Sequence, residues 1–144
     1  MDDLKTVAIG TLARQAFSQV IGAELVSISP GGAELAVTIK DSLKQQHGFL
    51  HGGVVSYLAD NALTFAGGSI LGDSVTLEMK INYLRPAVGE RLVATATVVS
   101  SSRRFAICEC RVSALTGSES ILVAAALGTI CKVERPPAPT EPAR

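Results

Sequence analysis

The feature that most restricts the fold is an apolar segment in the middle of the chain, residues 54–71. It has the length of a helix and is apolar nearly all round. A helix that is apolar on every side has to be wrapped by other structure. The segment is short for a membrane span and carries Asp60 and Asn61 inside it. We therefore interpret it as a buried helix and predict no membrane partner.

Strand patterns dominate the chain after this helix. From residue 74 onward, side chains alternate with the period of two that is typical of a half-buried strand. The pattern places on one side Val75, Leu77, Met79, Ile81 and Tyr83, and on the other Thr76, Glu78, Lys80 and Asn82. The same period returns in residues 92–98 and 106–112. The nearly continuous apolar run of residues 121–131 predicts a central strand covered on both faces.

The first part of the chain completes the order of elements. Residues 9–20 have the spacing of an amphipathic helix. Its predicted apolar face consists of Ile9, Leu12, Ala13, Ala16, Phe17 and Val20. Residues 23–29 and 33–40 follow as two short strands around a Pro-Gly-Gly turn. We predict one domain over residues 1–133 and a disordered, proline-rich tail over residues 134–144.

This order predicts an α+β fold. One curled antiparallel sheet has to wrap the long central helix in order to bury it, and an N-terminal helix precedes both.

Charge balance argues against two classes of partner. The chain contains 13 Lys and Arg residues and 13 Asp and Glu residues. This balance predicts neither a nucleic-acid surface nor an anionic-membrane surface. The start of the chain is acidic, whereas an export signal is basic. We therefore predict a cytoplasmic location.

The three cysteines are Cys108, Cys110 and Cys131, an odd number that predicts reduced thiols. A Cys-x-Cys pair can hold a metal, but no second Cys or His pair completes a four-ligand set. We predict no metal and no cofactor. The cysteines are then expected to act as small, buried apolar residues.

Asp60 is the one formally charged residue between Lys44 and Asp73. Proteins seldom bury an unpaired carboxylate without a use for it. The alternative is that Asp60 is solvated or pairs with an arginine. Just upstream, Gly52 and Gly53 stand where the helix begins, and the free N–H groups and positive dipole end of a first turn stabilise an oxyanion. The sequence thus offers two halves of acyl-transfer chemistry.

Two stretches carry a family resemblance. Residues 47–62, HGFLHGGVVSYLADNA, are similar to the G-x-x-H-G-G and L-A-D-x-A signature of the PaaI-like hotdog thioesterases. Residues 76–87 resemble the strand that follows in that family, with its Tyr-x-x-Pro-Ala ending. The resemblance covers roughly residues 10–133 and implies a hotdog fold. It also implies an acyl-CoA thioesterase that hydrolyses small or medium acyl-CoA, aryl groups included, to free acid and CoA.

The resemblance also assigns catalytic roles. It implies that Asp60 acts as general base on water or as nucleophile, and that the N–H of Gly53 binds the thioester oxygen. It implies that His51 orients the loop and that Thr76 positions the water. Family members pair their long helices side by side, so that the Asp of one subunit faces the glycine turn of the other. We therefore expect a homodimer, and two such dimers as a homotetramer.

The substrate-binding residues implied by the resemblance lie around the helix and in two turns. Gln45 stands where many relatives have Asn, and it carries the same amide one methylene further out. The arginines of the turns either form one local basic patch for the phosphates of CoA or are simply solvated. Separately, the residues of the helix either line the acyl pocket or only pack at the dimer seam. The expected residues are Gln45, Gly52, Asn61, Thr64, Tyr83, Arg85, Ser102, Arg103 and Arg104.

Other readings of the same fold remain. One is a non-catalytic acyl-CoA-binding hotdog protein, another is a hotdog hydratase or dehydratase, and a third is a purely structural role. The L-A-D context does not match the usual hydratase signature. The preferred acyl group, the choice between CoA and acyl carrier protein, and the choice between dimer and tetramer are left open.

Overall fold

The computed structural model describes residues 2–135. The α-helices are α1 (Asp2–Arg14), α2 (Ala16–Ile21) and α3 (Gly52–Leu71), with a short 3-10 turn at Asp41–Leu43. The strands are β1 (Ala23–Ser29), β2 (Gly32–Thr38), β3 (Ser74–Tyr83), β4 (Arg91–Ser101), β5 (Phe105–Thr116) and β6 (Glu119–Lys132). Residues 136–144 of the predicted tail lie outside the described residues. Within residues 2–135, no helix is both long enough and apolar enough to cross a membrane.

The strands form one antiparallel sheet in the order β1-β2-β4-β5-β6-β3. The sheet curls around α3, which contacts every strand. Leu58 and Leu63 of α3 are fully buried against side chains such as Leu35 and Leu92 of the sheet. The predicted fold class is confirmed: this is a hotdog fold, in which the sheet buries the apolar helix because neither could bury its own apolar surface alone.

The predicted alternation is confirmed in β4 and β5 but only in part of β3. Met79 and Ile81 of β3 pack against the core, whereas Val75 is 54% exposed and Leu77 is 63% exposed. The reason is a β-bulge, because the pairing with β6 shifts between Thr76 and Glu78 and leaves Leu77 as the extra residue. An extra residue reverses the side to which the preceding side chains point. Thr76 therefore faces α3 instead of solvent.

The predicted N-terminal helix is wrong in its continuity and in its buried face. The helix breaks at Gln15, whose backbone is extended, so α1 and α2 have separate axes. Ala8 and Leu12 are buried, while Ile9 and Val20 are exposed. The apolar stripe had been assembled across the break, where the 3.6-residue period no longer applies.

The prediction that the last strand is covered on both faces is also wrong for this chain. Strand β6 lies between β5 and β3, but Leu127 and Ile121 on it are exposed. Its inner face packs on α3, where Gly67 approaches Ile130 so closely that a Cβ on the glycine would lie 2.8 Å from the isoleucine Cβ. On the outer face, no residue from 2 to 135 covers Leu127 and Ile121.

Candidate active site

Asp60 lies on one stripe of α3 that the sheet does not fully cover. This stripe, which we call the open face of α3, consists of Gly53, Ser56, Asp60 and Thr64, each half-buried or exposed. The Asp60 carboxylate accepts a hydrogen bond of 2.5 Å from the Thr76 hydroxyl. Among the ion pairs of residues 2–135, none involves Asp60. The alternative in which an arginine neutralises it is therefore not what the structure shows.

A second hydroxyl extends this contact. The Thr64 Oγ1 lies 2.8 Å from the Thr76 Oγ1 and 2.8 Å from the Asp60 carbonyl oxygen. Each hydroxyl has a single proton to donate. Because Thr76 donates its one proton to the Asp60 carboxylate, it can only accept in its contact with Thr64. The Thr64 hydroxyl therefore donates either to Thr76 Oγ1 or to the Asp60 carbonyl oxygen. The carboxylate thus ends a short hydrogen-bond chain that fixes its orientation.

His51 caps the start of α3. Its ring nitrogen Nδ1 accepts a hydrogen bond of 2.8 Å from the backbone N–H of Gly53, and the backbone N–H of His51 donates to the Leu43 carbonyl at 2.9 Å. A Cβ on Gly53 would lie 2.8 Å from that ring nitrogen, which explains the glycine. The N–H that the resemblance assigned to the thioester oxygen is therefore already used by the cap.

Gly52 is different from its neighbour. Its N–H has no hydrogen-bond acceptor in the part of the chain that the structure describes. Its carbonyl accepts a hydrogen bond of 3.3 Å from the Tyr83 hydroxyl. A Cβ here would meet the Tyr83 ring at 3.5 Å, an ordinary contact, and the backbone does not have a positive φ. None of the described residues requires glycine at this position, and the N–H of Gly52 is free to bind a ligand.

The free N–H and the carboxylate lie far apart on the same helix. Gly52 precedes Asp60 by eight residues, which places them about 12 Å apart along the axis. A thioester whose oxygen contacts one N–H therefore cannot present its carbon to the carboxylate of the same chain.

Asn61 takes part in a polar cluster instead of facing the Asp60 carboxylate. Its Nδ2 donates to Gln15 Oε1 at 3.0 Å and to the Tyr57 hydroxyl at 3.1 Å. Tyr57 in turn donates to Ser18 Oγ at 2.5 Å. Burial raises the pKa of the Tyr57 hydroxyl, and the hydrogen bonds with Ser18 and Asn61 oppose this. The cluster joins the N-terminal helices to α3.

Gln15 and Ser18 were missed by the sequence reasoning. Their signal was the occurrence of two polar residues, three apart, within a segment interpreted as amphipathic. Ser18 is almost completely buried and donates to Gln15 Oε1 at 2.6 Å.

The Gln45 side chain stabilises its own loop. Its Oε1 accepts a hydrogen bond of 2.5 Å from the N–H of His47, and its backbone N–H donates to the Phe49 carbonyl at 2.8 Å. The loop returns at an isolated bridge between Lys44 and Leu50, directly before the cap of α3. In this arrangement the amide shapes the turn that presents His51.

The arginines do not form one patch within the chain. Arg85 donates to the Leu122 carbonyl at 2.9 Å, near the start of β6. Arg104 forms an ion pair of 3.6 Å with Glu134, and its carbonyl accepts from Lys132 at the end of β6. A strand of this length separates the two positions by about 30 Å. The predicted single basic patch is thus wrong for one chain, because the groups lie at opposite ends of the sheet.

The turn between β4 and β5 leaves one arginine unused. Ser102 Oγ accepts from the Phe105 N–H at 3.3 Å and closes the turn, and Arg104 lies over the Phe105 ring at 5.8 Å. Arg103 has no ion pair with any residue from 2 to 135. Its guanidinium is available to a phosphate.

The buried cysteines are not nucleophiles in this site. Burial raises the pKa of Cys108 to about 11 and that of Cys110 to about 12. Both thiols stay protonated at neutral pH, and a neutral thiol is a poor nucleophile.

Known proteins resemble this chain over most of its length. The thioesterase superfamily matches residues 47–121. A thioesterase family protein from Silicibacter pomeroyi has a solved structure with a TM-score of 0.85 and 32% identity, covering 89% of this chain and 96% of its own. The 1,4-dihydroxy-2-naphthoyl-CoA hydrolase of Listeria monocytogenes is 30% identical over 66% of this chain and 80% of its own length. The acyl-coenzyme A thioesterase PaaI of Escherichia coli is 32% identical over 58% of this chain and 60% of its own length.

These matches agree with the fold and confirm the resemblance seen in the signature residues. The chain therefore belongs to the thioesterase superfamily, as a PaaI-like hotdog thioester hydrolase.

Proposed function

We propose that this protein hydrolyses the thioester of a small or medium acyl-CoA to the free acid and CoA, with Asp60 as the reacting carboxylate. The observation that carries the proposal is the environment of the Asp60 side chain. It is half-buried, it has no cation beside it among residues 2–135, and the Thr76 hydroxyl orients it. A carboxylate with only a structural role at this depth would be expected to have a charged partner.

The proposed site is completed by a second copy of the chain. The separation of about 12 Å along α3 requires the oxyanion donor and the carboxylate to come from different copies. Two surfaces favour such pairing. The open face of α3 is only partly covered by the described residues, and β3 is an edge strand with Val75 and Leu77 exposed. Pairing β3 with its copy across a two-fold axis would cover both surfaces and set the helices side by side.

The geometry favours Gly52 over Gly53 as the oxyanion donor. The Gly53 N–H is used by His51, whereas the Gly52 N–H has no acceptor among the described residues. Binding through Gly52 leaves the cap of α3 intact. His51 then has a positioning role, because its ring fixes the first turn that presents the Gly52 N–H.

The reaction follows from these groups. The thioester oxygen accepts a hydrogen bond from Gly52 of one subunit, which polarises the carbonyl and stabilises the tetrahedral intermediate. In the general-base route, Asp60 of the other subunit takes a proton from water as the water oxygen attacks the carbonyl carbon. The C–S bond then breaks and the proton passes to the departing thiolate. In the nucleophilic route, the carboxylate itself attacks the carbonyl carbon, the C–S bond breaks and CoA leaves as the thiolate. Water then hydrolyses the resulting anhydride to the free acid and the Asp60 carboxylate, and its second proton passes to the thiolate.

Pairing across a two-fold axis also brings the two ends of the sheet together. Because β3 would lie antiparallel to its copy, the Arg85 end of one subunit adjoins the Arg103 end of the other. We propose that Arg103 and Arg104 of one subunit and Arg85 of the other contact the CoA phosphates. Guanidinium groups bind phosphate through paired hydrogen bonds.

The test is thiol release from a panel of acyl-CoA substrates by the wild type and by Asp60→Asn. The amide keeps the shape of the side chain and can still accept from Thr76, so the melting temperature should change little. Activity should fall by about 10²–10⁴-fold, as for loss of a general base. If the variant keeps its activity, Asp60 is not the reacting group. If the wild type releases no thiol although acyl-CoA stabilises it, the protein is a binding module instead.

A further test separates the two routes. In a single turnover in water labelled with oxygen-18, label in the Asp60 carboxylate excludes the general-base route, because the label enters only when water attacks an anhydride at the Asp60 carbonyl carbon.

A further inference from the structure

A groove of about 500 Å³ lies beside the open face of α3. Helix α1 forms one wall with Leu4 and Val7, and α3 forms the other with Thr64 and Phe65. Ile28 of β1, on which α1 packs, contributes to the floor. The proposed mechanism does not use this groove.

Thr64 connects the groove to the carboxylate. The same side chain lines the groove and lies in the hydrogen-bond chain with Thr76 and Asp60. One end of the groove therefore lies next to the carboxylate at which the mechanism places the substrate carbonyl. Beyond it, Gly68 and Gly72 line the wall, and neither places a side chain in the path.

The length of the groove limits the tail. From Thr64 to Gly72 the helix rises by about 12 Å. An extended chain advances about 1.2 Å per bond, one third of the span of an extended residue. The groove therefore accommodates roughly ten bonds beyond the carbonyl region.

The middle of the groove lacks free groups that would recognise a polar substituent. Thr11 donates its hydroxyl to the Val7 carbonyl at 2.9 Å. Ser69 donates to the Ala66 carbonyl at 2.6 Å and accepts from the N–H of Gly31 at 2.8 Å. A site that selects a hydroxylated aryl group needs an unsatisfied partner for the hydroxyl. The other polar and charged side chains of the lining lie towards the two ends of the groove, where they leave the middle apolar: Asp3, Arg14, Gln15, Asn61, Asp73, Ser74 and Arg135.

We propose that this groove binds the tail of a straight acyl chain of about eight to ten carbons, so that the enzyme prefers medium-chain over aryl substrates. The length follows from the span of α3, and the preference for alkyl follows from the occupied hydroxyls of Thr11 and Ser69 in the middle of the groove. This inference rests on the proposed function and adds the substrate class to it.

The test compares kcat/KM for butyryl-, octanoyl-, decanoyl- and phenylacetyl-CoA in the wild type, Val7→Trp and Val99→Trp. Val7 lines the groove, and Val99 lies outside it on β4; each is 58% exposed, so neither substitution opens the core. Each buried methylene should improve binding about fourfold. We expect Val7→Trp to lose at least tenfold on decanoyl-CoA while butyryl-CoA stays within twofold. The control Val99→Trp should keep the wild-type ratio.

Binding of the thioethers decyl-CoA and butyl-CoA, measured by calorimetry, provides a readout that does not need hydrolysis. Tighter binding of decyl-CoA that Val7→Trp abolishes supports the groove even if no substrate is hydrolysed, in which case only the proposed function fails. Equal affinities of the two thioethers overturn the groove assignment. The same holds for a decanoyl-to-butyryl ratio that Val7→Trp leaves unchanged, or for a wild type that prefers phenylacetyl-CoA.

Discussion

Two stretches of the same stripe of α3 face the strand pair β3 and β6, and they pack in opposite ways. At Gly67 the helix contacts Ile130 so closely that no side chain fits. At Asp60 and Thr64 it meets Thr76, the strand partner of Ile130, through hydrogen bonds of 2.5 and 2.8 Å. The apolar contact between Gly67 and Ile130 thus sets the helix-to-strand distance at which the polar contact with Thr76 forms. We call the contact at Gly67 the closed stretch and the part of α3 with Asp60 and Thr64 the open stretch. The closed stretch positions the site, and the open stretch contains its reacting group.

The largest expected effect concerns the backbone N–H of Gly52, which is the proposed oxyanion donor for the reaction at Asp60. Gly52→Pro removes the free N–H at the first position of the helix, where proline is favoured, and the extended His51 before it tolerates proline. Loss of one oxyanion donor should lower kcat by about 10²–10³-fold. Gly52→Ala keeps the N–H and is the matched control, expected to retain most activity. Equal activity of the two variants would return the role to Gly53.

The second prediction breaks the closed stretch. Gly67→Val forces the helix away from Ile130 and should lower the free energy of unfolding by about 3 kcal/mol. Because the spacing to Thr76 also grows, kcat should fall as well. Urea denaturation and thiol release measure the two effects. The double variant with Ile130→Ala should recover part of both, and loss of stability without any loss of activity would disconnect the two stretches.

The third prediction changes only the open stretch. Thr76→Val keeps the shape but removes the hydrogen bond to Asp60, and a hydrogen bond to a charged group is worth about 1.5–3 kcal/mol. We expect kcat to fall by about tenfold or more with KM little changed, and the melting temperature to fall by a few degrees because the folded state loses the same hydrogen bond. Thr76→Ser should restore most of the activity, while Thr97→Val, an exposed threonine on β4, should have no effect. A Thr76→Val variant of normal kcat would sink the orienting role.

The smallest expected effect concerns the buried inner face of the sheet, where Cys110 makes the free energy of unfolding depend on pH. Burial raises the pKa of Cys110 from 9.0 to about 12, so the folded protein holds this proton more tightly than the unfolded chain. Its contribution to stability is complete below pH 9 and is lost as the pH rises from 9 towards 12. The loss should be about 1.4 kcal/mol per pH unit in that window. Urea midpoints between pH 8 and 10 should fall less steeply for Cys110→Ala than for the wild type.

Much of this architecture was predictable from local patterns. The period of two in residues 92–98 and 106–112 predicted the inward-facing side chains of β4 and β5 correctly, because alternation is a property of any extended strand. The apolar character of residues 54–71 predicted a wrapped helix, because such a segment has no favourable alternative in water.

The N-terminal helices and β3 show where local patterns fail. Gln15 breaks the first helix although no proline or glycine stands there. Its hydrogen-bond partner Asn61 lies 46 residues away in sequence. The bulge at Leu77 depends on the register with β6, more than 40 residues later. Neither contact leaves a periodic signal in its own segment.

Hydrophobic period and residue type were enough to predict the order of the elements, the curled sheet around α3 and the carboxylate at Asp60. The direction of Thr76 towards Asp60, and the free N–H of Gly52 in contrast to that of Gly53, became visible in the folded chain alone. The physical reason is that strand register and the cap of a helix are chosen by packing between distant segments, where a shift of one residue reverses a side chain or reassigns a hydrogen bond.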